Sequence, residues 1–214
     1  MPKAKVGRKK AVLSGNHYTS RRFDVVAVGA SAGGFHAIAE LLGPLPSNFT
    51  GSILVVQHLD PARKSLLADL LLRHTALHVK QAEHGEIMLP GVVYIAPPDE
   101  HMLAGPGKIQ LAHTHLVRFS RPSIDLLFES VAGMYGSRSV GVILSGTLKD
   151  GSAGIRAIKE AGGVTLAQDP ADAEFKSMPT AAVATGCVDY TLPLNKLGIT
   201  LKNLYEVGSP KPYG

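Results

Sequence analysis

The sequence predicts an α/β fold: one doubly wound, mostly parallel sheet with helices on both faces and a β-hairpin insertion. From Phe23 onward, apolar runs of strand length alternate with windows of helical period, the pattern that builds a parallel sheet covered on both sides. The 214 residues suit a single domain with tails, and 45% hydrophobic against 18% charged residues is ordinary for a soluble globule. One stretch, residues 97–119, breaks the alternation. Its two short strand candidates flank Gly105-Pro106-Gly107, which is hairpin turn chemistry.

The elements follow in order. "FDVVAVG" is the first strand and feeds a glycine-rich turn into the helical window "GFHAIAELLGPL". "GSILVVQ" is the second strand, with "SLLADLLLRHT" as the next helix, and "VVYIAP" is the strand that enters the hairpin. Pro122 and Ser123 read as entry and cap residues for the helix "SIDLLFESVAGMYG". The strands "SVGVILSG" and "GGVTLAQD" precede the helices "SAGIRAIKEAG" and "MPTAAVATG", and "GCVDYTL" is the last strand. Cys187 stands in that strand beside a valine and is expected to be buried, because a free cysteine packs as a small hydrophobe.

The pI near 9.3 suggests nucleic acid until the charge is located. Residues 1–22 hold Lys3, Lys5, Arg8, Lys9, Lys10, Arg21 and Arg22 and no acid, so the rest of the chain carries 15 basic against 17 acidic residues. The expected organisation is a basic disordered tail or linker over 1–22, a domain over 23–205 and a C-terminal tail over 206–214. A net charge of −2 outside the first tail argues against a nucleic-acid partner. No run is apolar enough for a secretory signal or a membrane span, so a cytoplasmic protein without membrane insertion is expected.

Doubly wound folds place their chemistry outside the carboxyl ends of the strands. Ser31, His58 and Asp150 follow three strands that can be neighbours. The turn Gly29-Ala30-Ser31-Ala32-Gly33 has two readings. A phosphate-binding fingerprint wants glycine at position 31 and an acid at the end of the second strand, where this chain has Ser31 and Gln57-His58. Asp60 is near that end, but it precedes Pro61 and has left the strand. A nucleophile turn, G-x-S-x-G, wants a general base and a carboxylate to orient it, roles open to His58 and Asp150. Each residue also has a plainer role: Ser31 and Asp150 as helix caps, His58 as a loop histidine bonded to backbone. His74 with His78, and His113 with His115, have spacings that can face a metal, but neither pair brings a third ligand. No metal and no cofactor is expected. His101 is a candidate for the cleft rim, and Gln168-Asp169 for ordering the loops near Asp150.

A resemblance adds to this. "VGASAGG", "VVQH", "APPDEHM", "RPSIDLLFESVA", "VILSGTLKDG" and "AQDPADAEFKSMPTAAV" resemble, in order, blocks of the catalytic domain of chemotaxis protein-glutamate methylesterases, the CheB family. The resemblance runs from Val25 to Leu192. It implies a serine-histidine-aspartate triad on Ser31, His58 and Asp150, and hydrolysis of glutamate methyl esters on a methylated chemoreceptor cytoplasmic region or similar signalling protein. Some family members also deamidate receptor glutamines. Backbone N–H groups of Ala32 and Thr147 are the expected oxyanion donors. Regulated members carry an N-terminal receiver domain, which does not fit in 22 residues; if the chain is complete, the expectation is a stand-alone esterase, either constitutively open or controlled by a regulatory partner in place of that domain. Departures are Ala32 where many members have threonine, Thr147-Leu148-Lys149 for a common Met-Gly-x, and Ser177 for the glycine of a G-M-P. The rival reading is a nucleotide- or phosphate-binding regulatory module without catalysis.

Overall fold

A computed structural model describes residues 23–58, 65–117 and 120–207. The tail expected over 1–22 and the side chain of Asp60 lie outside the described residues. In chain order the elements are β1 (Val25–Ala30), α1 (Gly34–Leu42), β2 (Ser52–Gln57), α2 (Leu67–Leu71), β3 (His78–Gln81), β4 (Val92–Ile95), β5 (His101–Ala104) and β6 (Ile109–Ala112). They continue with α3 (Ile124–Tyr135), β7 (Ser139–Ile143), α4 (Ser152–Glu160), β8 (Val164–Gln168), α5 (Ser177–Val183), β9 (Tyr190–Leu192) and α6 (Leu194–Val207). Seven strands form one parallel sheet in the order β3-β4-β2-β1-β7-β8-β9, and β5 pairs β6 antiparallel as a separate hairpin.

The two-residue period of the strands divides the core. Val26, Val28 and Ala30 of β1, with Ile53 and Val55 of β2, pack with the apolar faces of α1, α2 and α6. Val25, Ala27, Leu54 and Val56 point the other way, toward α3, α4, α5 and the hairpin. Both faces of the central strands are therefore dry, which is why those strands read as continuous apolar runs. Each fully buried Val, Leu or Ile contributes about 1.5–3 kcal/mol, so this double layer holds the sheet edge that carries the site.

Some elements differ from the sequence reading. β3 was not expected: a four-residue edge strand with Val79 as its one fully buried side chain gives too short a pattern. The helix expected over "SLLADLLLRHT" is only Leu67–Leu71, because the chain turns where His74 N–H bonds the Leu71 carbonyl. His78 consequently lies on a strand, not one turn from His74 on a helix. α6 was also missed, although Leu194, Leu197, Leu201 and Tyr205 enter the core from one face. It runs to Val207 and so takes in Glu206, which the sequence assigns to the tail. Cys187 is half-buried in the turn before β9 rather than buried in a strand.

α3 and α4 pack closely, and Gly154 is the contact: a Cβ there would lie 2.4 Å from Phe128 Cβ. Gly154→Ala should lower stability by about 1 kcal/mol or more, because overpacking of about 1–3 kcal/mol exceeds the roughly 1 kcal/mol that alanine gains over glycine in a helix. Urea unfolding checks this; an unchanged or raised midpoint would mean that the two helices separate freely.

Candidate active site

Ser31 stands at the carboxyl end of β1, and His58 at that of β2. Ala30 and Gln57 are the last register partners of these strands, so the next residue on each chain begins the cleft. His58 N–H donates to the Ala30 carbonyl at 3.1 Å, which fixes the histidine backbone against the serine turn. The turn is tight. The Ser31 carbonyl accepts from Gly34 N–H at 2.9 Å, and Gly33 adopts φ 72° as the N-cap of α1. A side chain at Gly33 would meet Ser145 Oγ and Glu174 Oε2 at 2.9 Å each, so both conformation and space demand glycine. The N-cap of α1 receives no side-chain bond, so the Ser31 hydroxyl does not cap that helix.

Asp150 is 4% exposed and fully engaged. Its Oδ2 lies 2.9 Å from His58 Nε2 and accepts Ile124 N–H at 2.8 Å. Its Oδ1 accepts from Ser123 Oγ at 3.2 Å and from the N–H groups of Asp125 and Gly151 at 3.0 Å each. The plain reading of Asp150 as the cap of its own following helix is therefore displaced. The N-cap of α4 is Gly151, and Asp150 instead receives the first N–H groups of α3, whose own N-cap is Ser123. Burial pushes the Asp150 carboxyl up, but the His58 hydrogen bond and the Asp125 and Ile124 N–H groups outweigh it and hold it below the usual carboxylate range. An ionised carboxylate only accepts, so the proton of this bond sits on His58 Nε2.

The loop after β7 is pinned to the serine turn from the other side. Ser31 N–H donates to the Ser145 carbonyl at 3.0 Å, Ser145 Oγ donates to the Ala32 carbonyl at 3.0 Å, and Gly146 N–H donates to the Phe175 carbonyl at 2.9 Å. Ser145 N–H in turn donates to Gln168 Oε1 at 2.9 Å, and Gln168 Nε2 to Asp172 at 3.0 Å. Gln168 thus orders the loop on the serine side rather than beside Asp150. Among the described residues, the N–H groups of Ala32 and Thr147 have no hydrogen-bond partner. Between them the chain has fixed the two segments from which an oxyanion could be held. Leu148, one residue on, has φ 66°, a left-handed conformation that a bulky residue adopts only under constraint.

The sheet edge thus holds the Ser31–Ala32 turn beside the loop after β7, and His58 against Asp150. No hydrogen bond joins Ser31 Oγ to His58 among the described residues. His101 is not on the rim. It is fully buried, accepting Ser123 N–H at Nδ1 over 3.1 Å and donating from Nε2 to the His115 carbonyl at 3.0 Å. Arg121 is committed to Asp99 and the Thr114 carbonyl. Ser123, read from sequence as a cap alone, is in addition a donor to Asp150; nothing local signals that second bond, whose partner lies 27 residues away. Among the described residues no three His, Cys, Asp or Glu side chains converge as metal ligands, and no helix is long and apolar enough to cross a membrane.

Residues 26–201 match the family model for CheB methylesterase. The chain is 42% identical over 183 residues to protein-glutamate methylesterase/protein-glutamine glutaminase 2 of Anaeromyxobacter dehalogenans strain 2CP-C, an overlap of 86% of this chain and 54% of that protein. It is 40% identical over 186 residues to protein-glutamate methylesterase FrzG of Myxococcus xanthus, covering 86% and 56%. The chain spans about half the length of these curated relatives. The crystal structure of the Thermotoga maritima CheB methylesterase catalytic domain superposes with a TM-score of 0.80 at 36% identity, over 85% of this chain and 98% of that one.

The lowered Asp150 pKa has a consequence for stability. Because the folded value lies below the unfolded value of about 4, the carboxylate's contribution is complete above pH 4 and is lost as pH falls through the folded pKa. Asp150→Asn should be less stable than the parent by about 1–3 kcal/mol near neutral pH, and the gap should narrow below pH 4. Urea titrations at both pH values measure it, and a gap that widens in acid would mean that the folded protein holds Asp150 protonated.

Proposed function

The chain belongs to the CheB methylesterase family, and we propose that it is a carboxylic ester hydrolase that demethylates glutamate γ-methyl esters on a chemoreceptor-type signalling protein of the cytoplasm. The observation that carries the reading is the 2.9 Å bond from His58 Nε2 to a buried, otherwise satisfied Asp150, beside a serine on a glycine turn. A phosphate-binding module has no use for a carboxylate-held histidine at that point, and the family argues against that rival.

In this reading Ser31 Oγ attacks the ester carbonyl while His58 Nδ1 takes its proton, a free hydroxyl being a poor nucleophile at neutral pH. Asp150 stabilises the imidazolium and keeps the ring in the Nε2–H tautomer. The ring nitrogens have exchanged the roles they hold in serine proteases, since here Nε2 faces the aspartate. The oxyanion draws on the Ala32 and Thr147 N–H groups, and carbonyl re-formation expels methoxide, which leaves as methanol with the proton from Nδ1. Water, deprotonated by the same nitrogen, then attacks the acyl-enzyme and releases glutamate with Ser31 regenerated. Neither half-reaction needs a cofactor. The relatives named as glutaminases favour a second substrate for the same machinery: a glutamine side chain would pass through the same acyl-enzyme with ammonia leaving.

Methanol released from methyl-labelled receptor membranes is the direct measurement. Ser31→Ala should reduce it by at least about 10³-fold and abolish labelling by a fluorophosphonate, while Asp150→Asn should cost on the order of 10²-fold or more. Unchanged methanol release or labelling in Ser31→Ala would overturn the reading.

A further inference from the structure

Beside the site, between α4 and α5, runs an open groove of about 1000 Å³. Asp150 forms part of its wall, so the groove begins where the proposed chemistry ends. It is larger than one glutamyl ester requires. Lys149, Arg156 and Lys176 line it with exposed side chains, and none of the three is paired among the described residues. The one acidic lining residue is Asp150, whose carboxylate is buried and bonded to His58. Three unneutralised cations around a groove with no exposed acid form a local positive field, on a domain whose charge outside the tail over 1–22 is slightly negative.

The opposite flank carries the other sign. A smaller cavity of about 280 Å³ on the far side of the serine turn is lined by Gly33, Ser145, Glu40, Asp172 and Glu174. The sign therefore reverses across the site, and within one connection it reverses from Glu174 to Lys176. A bound chain would feel attraction on one side and repulsion on the other, which sets its direction. Leu148 lies at the lip of the groove, 65% exposed and at φ 66°. An apolar side chain held outward in a costly backbone conformation is poorly placed for a free surface and well placed to anchor a partner.

We propose that the α4–α5 groove docks an acidic segment of the substrate protein, one rich in glutamates around the ester, with Lys149, Arg156 and Lys176 meeting its carboxylates and Leu148 its apolar side chains. The proposal rests on the methylesterase reading, since demethylation leaves a carboxylate at every turnover and so makes a neighbouring acidic surface part of the substrate's own chemistry. Contacts of this kind at an exposed rim are individually weak and screened by salt, so they act together and at low ionic strength.

The test uses the full chain with Ser31→Ala, which prevents turnover. Two fluorescein-labelled peptides are titrated by anisotropy: one with a single glutamyl γ-methyl ester flanked by glutamates, and one with glutamines in their place. The acidic peptide should bind about tenfold or more tightly at low ionic strength. That advantage should disappear at high salt, in Arg156→Glu/Lys176→Glu, and in large part in the milder Arg156→Gln/Lys176→Gln. Unchanged melting temperatures establish that both variants fold. Equal affinity for the two peptides, or retention of the difference in the folded variants, overturns the proposal. So does a second occupant: displacement of the acidic peptide by a single-stranded oligonucleotide at lower concentration than by unlabelled peptide, or a self-association that the charge reversal abolishes. Fluorophosphonate labelling of Ser31 in the parent is scored separately, so loss of the esterase reading and loss of the docking surface give different results.

Discussion

The arrangement depends on one buried carboxylate. Asp150 is almost wholly removed from water, and an ionised group in that position is tolerated only when every lone pair is met. Its partners come from the end of β2, from the start of α3 and from the residue that opens α4. Satisfying that charge therefore fixes the relative placement of a strand end and two helices. Asp125 continues the linkage, with its Oδ1 accepting Gly154 N–H at 2.8 Å, so the starts of α3 and α4 are tied through side chain and main chain together. The close Gly154–Phe128 contact lets the two helices approach far enough for this.

A second network holds the serine. Gln168 at the end of β8 reaches Ser145, Ser145 reaches the turn at Ala32, and Asp172 joins Gln168 to the first N–H of α6 at 2.8 Å. The serine turn and His58 thus have separate supports: Ser31 is braced from β7, β8 and α6, His58 from β2, α3 and α4. Among the described residues they meet at the sheet edge, where the Ala30 carbonyl accepts from His58 N–H.

What could be read from the sequence divides along the same line. Strand followed by glycine turn followed by helix is a local signal, so Ser31 and His58 could be placed at strand ends before any coordinates, and the hairpin around Gly105-Pro106-Gly107 likewise. Asp150 could be placed at the edge with His58 as its partner, but its bonds to Ser123, Ile124 and Asp125 could not: contacts spanning 25 to 27 residues leave no periodic trace. His101 illustrates the cost, because a histidine after a strand and beside two acids looks like a cleft residue, whereas its ring is consumed by Ser123 and the His115 carbonyl. β3 was too short to register. α6 had the apolar spacing, but Pro193 and Gly198 at and near its start obscured the period.

Of the five groups that donate to Asp150, three are main-chain amides, those of Ile124, Asp125 and Gly151. The amides of Ile124 and Asp125 survive any replacement of their own side chains except proline, whereas Gly151, at φ 96° with Ile143 Cδ1 2.5 Å from where a Cβ would stand, offers its amide only as glycine. The residues just before it, Thr147, Leu148 and Lys149, donate to neither of its oxygens, so they can change without disturbing the charge at the centre. A lineage can thus revise what the lip of this cleft admits while inheriting the machinery behind it intact.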